Sequence, residues 1–219
     1  SSGSGKSTVA KLIVRLIDPT SGRIFYKGQD ITELKRKELK DYRKRVQMLF
    51  QDPYYSLDPT RTVEWHIRRP LRLMGLKGSQ LSAEVERLLE SVQLIPPRNY
   101  AYKFPHELSG GQRQRVFLAR ILALKPELIV ADEPVSMLDA SLRAEILTLV
   151  RSLIAESGIS VLYITHDMST IRYLASRIYV MNAGTSVESG PTERVIESPS
   201  SPYTRQLIDS TPDPYMRIQ

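Results

Sequence analysis

Cysteine is absent from all 219 residues, which removes disulfide frameworks and thiolate metal sites from consideration. Long hydrophobic runs are lacking as well. The most apolar stretches, Ile121 to Leu124 and Leu128 to Ala131, are interrupted by Lys125, Glu127 and Asp132, so none approaches the roughly 20 residues that a membrane-spanning helix needs. The start shows no basic then apolar stretch of a secretory signal but opens on a glycine-rich loop, and a cytosolic location is the expectation. Internal repeats are missing, which sets solenoids aside. With 41% apolar and 25% charged side chains, the composition is that of one globular domain able to bury a real core. The net charge is +7, but the densest basic stretch, Lys35 to Arg45, is interleaved with Glu38 and Asp41. Such a run is a solvated helix face more than a one-sided nucleic-acid stripe.

Val9, Leu12, Ile13, Leu16 and Ile17 recur at helical spacing after the opening loop, and Asp18-Pro19-Thr20-Ser21-Gly22 stops that helix. Short β-type runs follow at Arg23 to Tyr26 and Val46 to Phe50. From about Tyr54 to Leu124 the pattern is helical, with Val85, Leu88, Leu89 and Val92 on one apolar face. Strand character returns at Leu128 to Ala131 and at Ile159 to Thr165, separated by a helix striped with Leu142, Ile146, Leu149, Val150, Leu153 and Ile154. Apolar strands alternating with helices predict an α/β fold, a parallel sheet with helices on both faces and functional residues at the strands' carboxyl ends. Prolines at 199, 202, 212 and 214 break up the tail beyond Pro191, which reads as an appendage.

Ser2-Gly3-Ser4-Gly5-Lys6-Ser7-Thr8 matches the second half of a phosphate-binding loop, whose glycines let backbone N–H groups close around phosphate oxygens. In that role Lys6 reaches the β- and γ-phosphates of a nucleotide such as ATP, and the Ser7 hydroxyl is a ligand for Mg²⁺. Leu128-Ile129-Val130-Ala131-Asp132-Glu133-Pro134 is an apolar strand closing on two carboxylates. Asp132 is placed to hold Mg²⁺ through water and Glu133 to polarise an attacking water. Leu108-Ser109-Gly110-Gly111-Gln112 combines a good N-cap with two glycines ahead of a helix read from Gln112 to Leu124, which makes a second anion site. One nucleotide does not need two such cradles from one chain.

With that segment the chain resembles the ABC transporter ATPases, whose signature loop closes over the ATP held by a partner subunit. The resemblance implies a P-loop NTPase (RecA-like) parallel core with an inserted α-helical subdomain, lacking N-terminal antiparallel strands. It assigns residues 1–53 and 125–190 to the core, 54–124 to the helical subdomain and 191–219 to an extension. It further implies that Gln51 senses the γ-phosphate and Mg²⁺, that Asp139 belongs to the D-loop, and that His166 contacts the γ-phosphate and orients Glu133. Met137 departs from the pattern, standing where a small residue is usual. The loop's first glycine and the strand before it would lie ahead of Ser1. Truncation is therefore the expectation, with weak ATP binding for want of an adenine-stacking aromatic, and with poor hydrolysis, in this chain but not in a full-length parent.

Val46 to Pro59 and the Pro202-Tyr203-Thr204 tail narrow the resemblance to the oligopeptide and dipeptide importers. Tyr203, Thr204, Leu207 and Ile208 suggest a short docked helix. That branch implies a second ATPase subunit, identical or paralogous, a pair of membrane permease subunits, an external solute-binding protein and a place on the cytoplasmic membrane face, with no nucleic acid. The alternatives are a soluble ABC ATPase acting on nucleic acid or ribosomes, and a non-catalytic remnant. Neither long heptad insertions nor a second cassette is present to support the soluble type.

Overall fold

The computed structural model describes residues 3–50 and 57–210. The first helix, α1 (Lys6–Ile13), is shorter than its apolar spacing predicts. Arg15 turns left-handed at φ 57, its N–H bonds Leu12 O, and the Leu16 N–H bonds Lys11 O. These are the two bonds of a Schellman stop, and they leave Leu16 and Ile17 exposed. The expected strand at Arg23 to Tyr26 contracts to a two-residue antiparallel ladder, β1 (Phe25–Tyr26) on β2 (Gln29–Asp30). The Ile24 N–H goes instead to Thr32 Oγ1 at 2.8 Å, and Lys27 and Gly28, both at positive φ, make the tight turn.

Next, α2 (Arg36–Arg45) runs straight into β3 (Val46–Leu49). The predicted helical stretch then appears as α3 (Val63–Leu73), α4 (Gly78–Ser91), α5 (Arg98–Ala101) and α6 (Gly110–Leu122). After it come β4 (Leu128–Asp132), α7 (Ala140–Ser157) and β5 (Ser160–Ile164). The three strands pair in parallel in the order β3, β4, β5, with Leu49 opposite Ala131 and Asp132 opposite Ile164. Alternation along the strands supplies two cores. Leu49, Ile129 and Ala131 pack with Phe117 and Ile121 of α6 and with Ile146 and Leu149 of α7, in a core that continues into α3 and α4 through Ile67 and Leu88. Val46, Met48, Val130 and Ile164 face the other way, against Ala10, Val14 and Tyr42 from the α1–α2 side. The predicted sheet covered on both faces is thus what forms.

Beyond the sheet, α8 (Met168–Leu174) leads to an antiparallel hairpin, β6 (Arg177–Asn182) with β7 (Thr185–Pro191). Two short helices, α9 (Thr192–Glu197) and α10 (Pro202–Asp209), follow. Ile178, Val180 and Val195 form a small core with Tyr203 and Leu207, so the proline-broken tail docks on the hairpin. The helix expected around Tyr203 to Ile208 is α10. Glu188 holds it there by accepting the Ser200 N–H at 2.8 Å and the Ser201 N–H at 3.0 Å.

Candidate functional site

The loop before α1 is shaped by two glycines in left-handed conformations, Gly3 at φ 95 and Gly5 at φ 90. Gly5 is the N-cap residue, and among the described residues no side chain caps the helix, so the backbone N–H groups of the first turn face the loop. A methyl group on Gly3 would meet open space, whereas one on Gly5 would lie 3.4 Å from the Gly184 Cα. The loop is anchored there, since Gly184 donates its N–H to Ser4 O at 3.2 Å. Lys6 Nζ donates to Ser4 Oγ at 2.7 Å, which keeps the ammonium at the loop. Ser7 and Thr8 are exposed on the first turn, while Ser2 lies outside the described residues.

Parallel pairing of β4 with β5 brings the next residues together. Asp132, opposite Ile164 in the ladder, is 8% exposed, and α1 packs directly on β4. The Glu133 N–H continues the ladder to Ile164 O at 2.9 Å, although Glu133 has a positive φ of 45. A non-glycine residue in that region is a strained position of the kind that clusters at functional sites. His166, two residues past Ile164, then places Nδ1 2.8 Å from Glu133 Oε1. Gln51 falls outside the described residues. Asp139 caps α7, accepting the Leu142 N–H at 3.0 Å and the Ser141 hydroxyl at 2.7 Å. These bonds, the Leu142 N–H first, hold its carboxyl below the usual range. Met137 beside it is exposed.

The second cradle is on α6, which packs against β3, α3, α4 and α7 and so stands on a different element from the first. Leu108 is buried, and the exposed Ser109 caps the helix. Its Oγ accepts the Gln112 N–H at 3.2 Å, and Gln112 Oε1 accepts the Ser109 N–H at 3.1 Å. This capping box starts the helix at Gly110, two residues earlier than the sequence pattern predicts. Gly110 and Gly111 sit close to Leu138 and Leu142, at 3.5 and 3.0 Å from where a Cβ would be. The structure therefore pairs Glu133 with His166 just past the ends of β4 and β5, has α1 pack on β4, and sets Gly110 and Gly111 against the segment that leads into α7.

Two buried polar residues on α6 escaped the sequence reading. Arg115 is 8% exposed and pairs with Glu145 at 2.9 Å, while Gln114, at 1%, bonds the Pro134 carbonyl. Nothing local marks them, because a Gln-Arg-Gln-Arg run on a helix reads as a solvated face.

Comparison with known proteins places these features in a family. A family model described as ABC transporter matches residues 1–136, and another, described as oligopeptide/dipeptide transporter, C-terminal region, matches residues 187–219. Proteins named glutathione import ATP-binding protein GsiA, from Salmonella typhi and from Shigella sonnei, are 46% identical over 212 residues. That alignment takes in 96% of this chain and 34% of each relative, so the chain spans about a third of the curated relatives' length. Among solved structures, cbiO1 from Clostridium perfringens, part of the ABC transporter complex cbiONQ, superposes with a TM-score of 0.81 at 27% identity, covering 90% of this chain and 77% of that one. An ATP-binding cassette solved as a dimer in a post-hydrolysis state with ADP and Pi gives 0.77 at 31% identity, covering 88% and 82%.

Proposed function

The chain belongs to the ABC transporter family, and on that premise we propose that it binds and hydrolyses ATP to drive an importer of peptides or similar solutes. The observations that carry this reading are a glycine loop that opens a helix packed on β4, and the Glu133–His166 pair just beyond the ends of the parallel strands β4 and β5. A triphosphate fits the cradle: a side chain on Gly3 would meet open space, among the described residues no side chain caps the α1 N-terminus, and Lys6 is held at the loop. Lys6 neutralises the terminal phosphates, and the backbone N–H groups hold their oxygens.

Among the described residues no group of three His, Asp or Glu side chains is arranged to hold a metal. The donor set suits Mg²⁺, which takes few protein ligands beside substrate phosphates, and Ser7 and Asp132, with Gln51, are the residues that would hold it. Mg²⁺ would neutralise charge on the phosphates. Glu133 orients the attacking water, and His166, bonded to the Glu133 carboxylate, fixes that carboxylate's direction while its exposed ring reaches towards the terminal phosphate. Asp139 orders the start of α7 beside them.

Ser109 to Gln112 form the cradle for the ATP of a second, head-to-tail subunit, identical or paralogous, because they stand on an element separate from the α1 loop. Permease subunits, an external binding protein and the cytoplasmic membrane face complete the assembly. The peptide branch is supported by the match over residues 187–219.

The test is to measure ATP turnover and nucleotide-dependent dimerisation of the full chain and of Glu133→Gln. The variant keeps ATP affinity, loses turnover by at least about 100-fold and accumulates as an ATP-bound dimer, because positioning survives while water activation is lost. Turnover at the parent's rate in Glu133→Gln would remove Glu133 from the reaction.

A further inference from the structure

Gln114 lies one helical turn after the Ser109 cradle, is 1% exposed, and donates its Nε2–H to the Pro134 carbonyl at 2.9 Å. Its Oε1 is buried and has no hydrogen-bond partner among the described residues. A leucine or methionine of similar size would fill the space without burying an unpaired Oε1 but would take the donor from the Pro134 carbonyl, so the amide is kept at a cost for the sake of that bond. What it gains is a connection: Pro134 directly follows the strained Glu133. Two close contacts run beside this bond. The Gly110 and Gly111 Cβ positions approach Leu138 and Leu142 at 3.5 and 3.0 Å, so that the first turn of α6 rests on the segment from Glu133 into α7.

We propose that Gln114 is a positioning residue that ties the Ser109 cradle to the Glu133 turn, so that the two move as one body. This rests on the ATPase reading, which has the cradle grip the partner's nucleotide while Glu133 serves the chain's own. In a head-to-tail pair, closure of the cradle on one nucleotide then sets the carboxylate at the other. The Gln114 amide is the short mechanical path between them, and it touches neither nucleotide.

The test uses the full chain with Gln114→Leu and Gln114→Met, both of which remove the donor at little change in volume. In the nucleotide-free protein, hydrogen exchange at residues 109–113 and 133–138 is expected to speed up together, about tenfold, while α3 and α4 keep their protection. In turnover, kcat falls about tenfold with the KM for ATP unchanged, and cooperativity in ATP drops to a Hill coefficient of one. Loss of packing alone would instead spread the exchange to α3 and α4. Exchange confined to 109–113, or an unchanged kcat and Hill coefficient, overturns the proposal.

Should Gln114→Leu fail to fold, Gly111→Ala probes the same joint from its other side by pressing on Leu142. It is expected to slow turnover and Leu142→Ala to restore it; no recovery in the double variant overturns the linkage. If the parent chain lacks ATPase activity, the ATPase reading fails and the exchange result alone decides whether Gln114 joins the two segments.

Discussion

The two glycine-rich helix starts, at α1 and at α6, treat their exposed N–H groups in opposite ways. At α1 the N-cap is a left-handed glycine with no side-chain cap, and the loop is braced from outside by Gly184. At α6 the chain answers its own donors through the Ser109–Gln112 capping box. An open helix N-terminus can bind an anion without giving anything up, whereas a capped one has already satisfied part of its demand. On the proposed ATPase reading, the first would hold a nucleotide by itself and the second would close over one that is already held. A third start, at α10, shows the occupied state, since the Glu188 carboxylate sits on the Ser200 and Ser201 N–H groups.

The largest effect that separates the two cradles is expected from Lys6→Ala. Removing a charge-assisted contact to phosphate should cost about 2 kcal/mol, or roughly 30-fold in the Kd for ATP measured by titration calorimetry. Equal affinity would mean that the α1 loop is not the primary cradle. Gly5→Ala comes next, because an alanine at φ 90 is strained and its methyl group meets Gly184. A loss of about 1–2 kcal/mol in urea unfolding is expected, and an unchanged midpoint would show that the loop is not braced. Ser109→Ala should cost only about 1 kcal/mol of stability through the lost cap. It should leave ATP binding to the monomer intact but reduce turnover of the dimer, and weakened monomer binding would erase the distinction between the cradles.

The smallest effect is local to α10 and shows what helix-start donors do to an anion. Hydrogen bonds to the carboxylate, that of the Ser200 N–H first, hold the Glu188 carboxyl down at about 2, against an ordinary 4.5. A folded pKa below the unfolded one makes its contribution complete above about 4.5 and lost as the pH falls towards 2. Limited proteolysis around residues 198–209 should therefore accelerate between pH 4.5 and 2 in the parent but not in Glu188→Gln, whose tail is already loosened. Identical pH profiles would remove Glu188 as the clasp.

Much of this arrangement was legible before any fold was known. The Gly-Ser-Gly-Lys-Ser loop, the apolar strand ending in Asp132-Glu133 and the Ser109 cap are written in contiguous residues, and the helix or strand around each follows from a short pattern. The end of α1 was not legible, because apolar spacing continues to Ile17 while Arg15 breaks the helix through backbone bonds to Leu12 and Lys11. Gln114 and Glu188 were equally silent. Each looks like a solvated side chain until its partner arrives from 20 and 12 residues away.

The sequence by itself determined which chemistries the chain carries and their order, since glycine conformations, N-caps and strand or helix periodicity depend on neighbours within a few residues. Only the tertiary structure decided which of them meet. The parallel register of β4 on β5 sets Glu133 against His166, 33 positions away, and the β6–β7 turn carries Gly184 to the glycine loop before α1. Those pairings depend on sheet register and on packing of distant segments, for which no local residue preference holds the information.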